Sequence, residues 1–290
     1  MPTAADREAW NAGVERSARA FCDNVAPMLA VFGEGAVERA AVRAGARVLD
    51  VGCASGIVTA ACALRAGPRG LVVGADESQG FVEAARRGAA RNGGGPRPRF
   101  VRGAPEGLPL AEASVDAVVS AFGLPAWDAQ REFAEAFRVL RPGGALSLVH
   151  MEGGRIAPMA AVEGLLRRFA TEQPSAGLRG LRHAAGAVDS VRGVQRHADA
   201  LEGAARLAGF GAVRVGRARV RQRLWGITNF LDVCLSYPLP HAEHAELAAD
   251  AKELFVTAGQ EVLLPHMDLE EFIATADLVY VTATRPARGA

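Results

Sequence analysis

The chain has 290 residues, enough for one large α/β domain with additional helices, and a formal net charge of +1. This balance leaves no basic footprint for nucleic acid, and no apolar run reaches the roughly 18 residues of a membrane span. The four cysteines lack C-x-x-C spacing and the N-terminus lacks a signal-peptide core, which predicts a cytoplasmic protein with free thiols and no metal site.

The N-terminal segment, residues 1–45, predicts a helical cap. A first helix is indicated by apolar residues at helical spacing, namely Trp10, Val14, Ala18 and Phe21, and a second run covers 27–42. The apolar face of the first helix could belong to a lid within the chain, or it could form the interface of a homodimer.

A glycine-punctuated turn follows the first predicted strand, in the sequence Val48-Leu49-Asp50-Val51-Gly52-Cys53-Ala54-Ser55-Gly56. Glycines in such a turn let the backbone approach a ligand. The fingerprint G-x-G-x-x-G fails because Ala54 and Ile57 occupy its later glycine positions, and no P-loop lysine follows. Asp50 at the strand end suits a ligand that presents a cation. A strand and turn without any cofactor role is the alternative.

A second strand, 71–75, ends at another acid, Asp76. A carboxylate at this position can accept hydrogen bonds from both hydroxyls of a ribose. The alternative is that Asp76 only caps the helix that Ser78 opens. Further strands are predicted at 115–120 and 145–150.

These motifs, in this order, resemble those of class I S-adenosylmethionine-dependent methyltransferases. VLDVGCASG is similar to the family's cofactor loop, VVGADES to its ribose-binding strand end, FVRGAPEGLPLAEASVDAVVS to its adenine loop and fourth strand, and RVLRPGGALSLV to the entry of its fifth strand. The resemblance covers residues 40–150, with looser matches at 201–215 and 278–284. It is nearest to the small-molecule enzymes that tailor quinones, polyketides and sugars in natural product biosynthesis.

The resemblance implies an α/β fold with a Rossmann-like, seven-stranded, mostly parallel sheet whose last strand is antiparallel. Helices flank the sheet, and a helical lid comes from the N-terminus and from insertions. The expected organisation is a cap at 1–45, a cofactor-binding core at 46–150, lid and connecting helices at 151–200, a core helix and sixth strand at 201–222, a substrate lid at 223–277, and a last strand with tail at 278–290.

The implied cofactor is S-adenosylmethionine, with S-adenosylhomocysteine as its product and no metal. Asp50 is expected near the methionine amine and Asp76 at the ribose. The full set of expected cofactor-binding residues is Asp50, Gly52, Cys53, Ala54, Ser55, Gly56, Asp76, Glu77, Ala104, Pro105, Glu106, Ser120 and Ala121.

The adenine loop departs from the family pattern. The family usually has an acid where Ala104 stands, and the next residue, Pro105, has no amide hydrogen to donate. Glu77 replaces an apolar residue that often packs on adenine. Glu106 could supply the missing acid through a shifted loop, or it could be a solvated turn residue. Adenine would then be held differently, or cofactor affinity would be reduced.

Aromatic and aliphatic residues concentrate in the 224–275 insertion, which predicts a lid over an apolar small-molecule substrate. The expected substrate-binding residues are Trp10, Phe21, Phe122, Trp127, Trp225, Phe230 and Tyr237, although such residues could instead pack the lid onto the core. If the nucleophile needs a general base, His150 and Asp128 are the candidates. A stabilised carbon or carboxylate nucleophile would need none.

The predicted function is methyl transfer by in-line displacement to an oxygen, nitrogen or carbon nucleophile of an apolar small molecule, a specialised metabolite. One alternative is a cyclase or isomerase that keeps S-adenosylmethionine or S-adenosylhomocysteine as a structural cofactor. Another is a non-catalytic binding or regulatory partner, which a fold alone never excludes.

Overall fold

The computed structural model describes residues 2–91, 97–152, 157–195, 197–224, 226–268 and 271–287. The strands in these ranges are β1 (Arg47–Val51), β2 (Leu71–Asp76), β3 (Arg99–Arg102), β4 (Val115–Ala121), β5 (Leu140–Met151), β6 (Gly211–Leu224), β7 (Met267–Asp268) and β8 (Glu271–Thr284). The helices are α1 (Ala4–Ala20), α2 (Ala26–Arg39), α3 (Ile57–Ala66), α4 (Gln79–Arg91), α5 (Ala129–Val139), α6 (Ala157–Phe169), α7 (Ala176–Gln195), α8 (Ala198–Leu207), α9 (Gly226–Leu235), α10 (Pro238–Ala245) and α11 (Ala249–Leu263). A π-helical turn, Phe21–Val25, joins α1 to α2, and a 3-10 turn, Leu264–His266, follows α11.

The strands form one sheet in the order β3-β2-β1-β4-β5-β8-β6, with the short β7 paired to β8. The pairs from β3 to β5 are parallel, and β8 runs antiparallel to both of its neighbours. This confirms the predicted Rossmann-like sheet with an antiparallel last strand. The strand order reverses between β1 and β4, and open α/β sheets bind ligands in the crevice at that point.

The core strands are apolar because helices cover both faces of the sheet. Val48 and Leu49 of β1 are both fully buried, but they belong to different clusters on opposite faces. Continuous rather than alternating burial is typical of parallel strands. It explains why the sequence predicted these elements well.

The hairpin of β6 and β8 is longer than the predicted strands, which were 212–220 and 278–284. Its register runs from Gly211 opposite Thr284 to Leu224 opposite Phe272. Arg217 and Arg219 are neutralised on its surface by Glu152 (2.9 Å) and Asp277 (2.7 Å). The strands therefore continue into the segment that was predicted to be lid.

Helices α9 to α11 pack on α6 and on the π-helical turn, around a separate apolar cluster. Phe230, Phe255 and Leu263 are fully buried in it, and Val25 and Met159 join them from the other elements. The helices predicted to form the lid, α9 to α11, thus have an apolar core separate from that of the sheet. Within the described ranges, no helix combines the length and the apolar character needed to cross a membrane.

Helix α1 packs inside the chain rather than presenting its apolar face to solvent. It contacts α4, α7 and α10, and its first turn is closed by a capping box between Thr3 and Asp6. Glu15 accepts hydrogen bonds from the backbone N–H groups of Gln79 (2.7 Å) and Gly80 (2.8 Å) at the start of α4. These contacts fix α1 across the end of β2.

Candidate functional site

A cavity of about 790 Å³ lies where β1, β2 and β4 end, beneath α1, α6, α7 and α10. Its volume falls within the range of small-molecule sites. The predicted site residues on its wall are Trp10, Phe21, Asp50, Gly52, Cys53, Ala54, Ser55, Asp76, Glu77, Pro105, Ala121, Phe122, Trp127 and Tyr237. The cavity therefore brings together residues that the sequence placed at three strand ends and in two lid segments.

The glycine turn after β1 contains two glycines with left-handed backbone. Gly52 has φ +74° and Gly56 has φ +80°. A Cβ atom on Gly52 would lie 2.5 Å from Cα of Gly123, so the loops after β1 and β4 touch through two glycines. Two non-glycine residues on the cavity wall, Ala54 and Phe122, also have a positive φ, of +42° and +65°. Strained backbone of this kind often clusters at ligand sites.

The turn uses much of its own hydrogen-bonding capacity internally. The amides of Gly52 and Cys53 donate to the Ala75 carbonyl at 2.8 and 3.1 Å, and the amide of Ala54 donates to the Asp76 carboxylate at 2.9 Å. Cys53 and Ala54 were predicted to donate backbone contacts to the cofactor, and both residues line the cavity. In this structure their amides join β1 to β2.

Asp50 is buried at the end of β1 with one carboxylate oxygen satisfied and one unsatisfied. Thr59 donates its hydroxyl to Oδ2 at 2.6 Å, whereas Oδ1 is buried without a hydrogen-bond partner among the described residues. Burial raises the pKa of Asp50 to about 7. An unsatisfied buried carboxylate oxygen on a cavity wall suits a cationic group of a ligand.

Asp76 ends β2 one strand away, and each of its oxygens accepts one backbone N–H. Oδ2 accepts from Ala54 and Oδ1 accepts from Ser78, both at 2.9 Å. Burial raises its pKa to about 6. A carboxylate oxygen accepts two hydrogen bonds, so each atom keeps capacity for a hydroxyl of a ligand. Asp76 therefore orders the turn and still has acceptor capacity for a ligand.

Glu77 connects the cavity wall to α1 and to the loop after β4. Its Oε1 accepts from Nε of Arg7 and from Nδ2 of Asn11, both at 2.9 Å, and its Oε2 accepts from Nε1 of Trp127 at 3.0 Å. Arg7 also pairs with Glu106 and lies over the Trp127 ring, 5.1 Å from its centre. The sequence predicted a cofactor contact for Glu77. The structure makes it the anchor of α1.

The adenine loop is a tight turn beside the cavity. Ala104 and Gly107 pair through their backbones in a tight turn, and Pro105 faces the cavity. Glu106, predicted as a substitute acid, is paired with Arg7 and lies in a small neighbouring cleft instead of on the cavity wall. Ala104 is absent from the wall as well.

Several predicted residues have structural roles outside the cavity. Ser120 is fully buried and donates its hydroxyl to the Val51 carbonyl at 2.7 Å, which ties β4 to β1. Gly56 underlies the turn, where a Cβ would meet the Phe100 ring at 2.9 Å. Phe230 is fully buried in the lid core. Trp225 lies outside the described residues.

The two predicted general bases, His150 and Asp128, do not line the cavity. His150 is fully buried beside Phe122, and its Nε2–H donates to the Leu124 carbonyl at 2.6 Å because a carbonyl can only accept. Asp128 is the N-cap of α5, accepts from the amide of Arg131 at 3.2 Å, and lines the small cleft. His150 thus supports the loop after β4, and Asp128 starts the helix that follows.

Glu132 supports the cavity wall, a role that sequence reasoning missed. This fully buried carboxylate of α5 accepts the amides of Ala126 (2.7 Å), Trp127 (2.6 Å) and Asp128 (2.8 Å). Burial raises its pKa to about 7. It therefore shapes the segment that brings Ala126 and Trp127 to the cavity wall.

We expect Glu132→Gln to destabilise the fold by about 1–3 kcal/mol, because an amide cannot accept all three N–H groups. Ligand affinity should also fall, because Glu132 holds the backbone of Trp127 and Trp127 lines the cavity. Urea unfolding measures the first effect. The control is Glu202→Gln, which removes only a surface ion pair with Arg206. Equal unfolding midpoints for the two variants would contradict the role of Glu132.

The lid side of the cavity is aromatic near the π-helical turn and polar further along. Phe21 contacts Phe81 (5.3 Å between ring centres) and meets Tyr237 edge to face (5.7 Å). The wall also contains residues that were not predicted: Asn11, Met151, Met159, Glu163, Asp189, His197 and Leu239. Glu163 interrupts an apolar helical run, and that interruption is the signal that could have revealed it. The described residues contain no group of three or more histidine, cysteine or acidic side chains that could hold a metal ion.

The sheet order and the position of the cavity are those of a class I, Rossmann-like methyltransferase fold. Residues 48–144 match a family model described as a methyltransferase domain. This segment contains β1 to β4 and the start of β5, together with the acids at the ends of β1 and β2.

Curated relatives match the same part of the chain. The ubiquinone/menaquinone biosynthesis C-methyltransferase UbiE of Hahella chejuensis is 38% identical over 111 residues, which are 38% of this chain and 45% of that protein. The arsenite methyltransferase of Halobacterium salinarum is 36% identical over 110 residues, 38% of this chain and 28% of that protein. The chain thus spans less than half the length of these relatives.

Among solved structures, the chain is similar to phosphoethanolamine N-methyltransferase 2 of Haemonchus contortus, determined in complex with S-adenosyl-L-methionine. The TM-score is 0.50 at 16% identity, and the match covers 88% of this chain and 52% of that one. At this level of identity, the likeness concerns the fold alone.

Proposed function

We propose that this protein is an S-adenosylmethionine-dependent methyltransferase that acts on a small molecule. The observation that carries the proposal is the pair of buried acids around the glycine turn. Asp50 has a buried carboxylate oxygen without a partner among the described residues, Asp76 retains acceptor capacity, and both residues line one cavity at the ends of adjacent strands. The match of residues 48–144 to a methyltransferase domain supports the same conclusion.

The residues on the wall fit the chemical groups of this cofactor. Asp50 would hold the ammonium of the methionine part, and Asp76 would hold the ribose hydroxyls. The cofactor supplies a methyl group already activated on a sulfonium. The chain therefore has to align the acceptor's nucleophile and exclude water, which is the task of Phe122 and of the lid residues Phe21 and Tyr237.

We further propose that the acceptor is an apolar small molecule, a specialised metabolite. The aromatic contacts of Phe21 support this, as do Met151, Met159 and Leu239 on the same wall. Among the described residues, His197 is the histidine on the wall, so it replaces His150 as the candidate to accept a proton from an oxygen or nitrogen nucleophile. A cyclase or isomerase is not favoured, because both curated relatives named above are methyltransferases.

The test is a product search by mass spectrometry. The protein is incubated with S-adenosylmethionine and a panel of apolar phenols, quinones and amines. A product heavier by one methylene, formed together with S-adenosylhomocysteine, supports methyl transfer. A product of unchanged mass would instead revive the isomerase. A Trp127→Ala variant, which alters the wall, serves as a comparison for background conversion.

Ligand affinity should rise with pH across the titration of Asp50. Below a pKa of about 7 the free protein carries a proton on Asp50, and that proton must leave before an ammonium can bind. We expect the affinity for S-adenosylhomocysteine to rise about tenfold from about pH 5.5 to about pH 7, and to level off about one pH unit above the pKa of Asp50. Asp76, with a pKa of about 6, adds to the lower part of this rise.

Calorimetric titration at several pH values measures this dependence in the parent protein and in Asp50→Asn. The variant should bind more weakly at neutral pH and show a shallower slope, because only Asp76 still titrates in this window. Identical slopes in the two proteins would contradict the assignment of Asp50 to the ammonium.

A further inference from the structure

We propose that Asn11 of the N-terminal helix reads the amino edge of the adenine ring, in place of the acid that is missing at position 104. This inference rests on the proposed function, since it requires an adenosine cofactor in the cavity. Its physical basis is the way in which α1 is fixed beside Glu77 and the loop containing Pro105.

Helix α1 is held over the end of β2 at three successive turns. Arg7 pairs with Glu77 (2.8 Å) and with Glu106, Asn11 donates to Glu77, and Glu15 accepts from the first amides of α4. Residues 7, 11 and 15 are spaced four apart and therefore share one face of the helix. This face covers the gap between the residue that follows Asp76 and the adenine loop.

The orientation of the Asn11 amide is fixed by its partner. Glu77 is a carboxylate that already receives Arg7, so it can only accept, and the group facing it at 2.9 Å must be the NH₂ of Asn11. The carbonyl oxygen Oδ1 is left as an acceptor without a hydrogen-bond donor in the described part of the chain, and Asn11 lies on the cavity wall. Gly103 and Pro105 line the same cavity.

The other candidate acceptors in this region are absent or already accept a hydrogen bond. Ala104 has no polar side chain, Oε1 of Glu77 accepts from Arg7 and Asn11, and Oε2 of Glu77 accepts from Trp127. Glu106 has a buried oxygen, Oε2, without a partner, but its side chain lies outside the cavity wall. Since the exocyclic amine of adenine needs an acceptor, Asn11 Oδ1 is the group that the geometry provides.

The experiment compares S-adenosylhomocysteine with S-inosylhomocysteine, in which a carbonyl replaces the amino group at position 6. Calorimetry on the parent protein should show an affinity about tenfold or more in favour of the adenosyl ligand, because a carbonyl would face the Asn11 oxygen. In Asn11→Ala the affinity for the adenosyl ligand should fall about tenfold, and the preference for the adenosyl over the inosyl ligand should disappear.

Two variants control for indirect effects. Arg7→Gln loosens the same attachment of α1. It should lower the affinity for both ligands and keep the preference for the adenosyl ligand. Glu106→Gln should also keep the preference, and its loss there would overturn the assignment in favour of Glu106. An unchanged preference in Asn11→Ala would overturn the role of Asn11 alone. Failure of the parent protein to bind either ligand would overturn the proposed function as well.

Discussion

Replacing Asp76 with asparagine is expected to lower the affinity for S-adenosylhomocysteine about 100-fold, since two charge-assisted hydrogen bonds to ribose hydroxyls are lost or weakened. The carboxylate also accepts the amides of Ala54 and Ser78, so the turn that shapes the site loses a fixed partner. The fold itself should survive, because burial already disfavours the charge of Asp76.

The matched control is Asp116→Asn. Asp116 likewise accepts a backbone amide, from Arg47 at 2.7 Å, and it pairs with Arg141, but it lies at the opposite end of the sheet. Its replacement should leave ligand affinity within about twofold of the parent, the usual scale of a surface change. If Asp76→Asn also stays within that range in calorimetry, the ribose assignment is wrong.

Gly52→Ala is the substitution for which we expect the largest loss of stability, about 3–4 kcal/mol in the free energy of unfolding. Two costs add at this residue. Its φ of +74° is unfavourable for any L side chain, and the new Cβ would lie 2.5 Å from the backbone of Gly123. The loops after β1 and β4 would have to separate, which would open the cavity wall that both of them form.

Gly45→Ala isolates the clash from the backbone strain. Gly45 has φ +82°, but a Cβ there would meet nothing within 4 Å. In urea unfolding of both variants, Gly45→Ala should lower the free energy of unfolding by only about 1–2 kcal/mol. Equal losses for the two variants would mean that the contact between the loops does not constrain the fold.

The acids of the site could be predicted from sequence because their neighbours along the chain determine their position. Asp50 and Asp76 each end an apolar strand, and the ends of parallel strands meet at one edge of the sheet. The glycine turn that follows Asp50 was likewise predicted from local sequence. These features need no knowledge of distant contacts.

The residues that were missed or misassigned depend on contacts between distant segments. Glu77 meets Arg7, 70 residues away, and no local pattern indicates that pairing. His150 lies at the correct end of β5, but the loop at Leu124 covers it, so strand position alone could not decide whether it faces the ligand. Asn11 gains its role only when α1 folds over Glu77.

The most direct test of the account is a calorimetric titration of the parent protein with S-adenosylhomocysteine at neutral pH, together with the variant Asp76→Asn. We expect one site per chain with an affinity in the micromolar range or tighter, and a loss of affinity of about 100-fold in the variant. Absence of binding at millimolar ligand, in a protein that unfolds cooperatively, would contradict the proposal that this cavity holds a nucleoside cofactor.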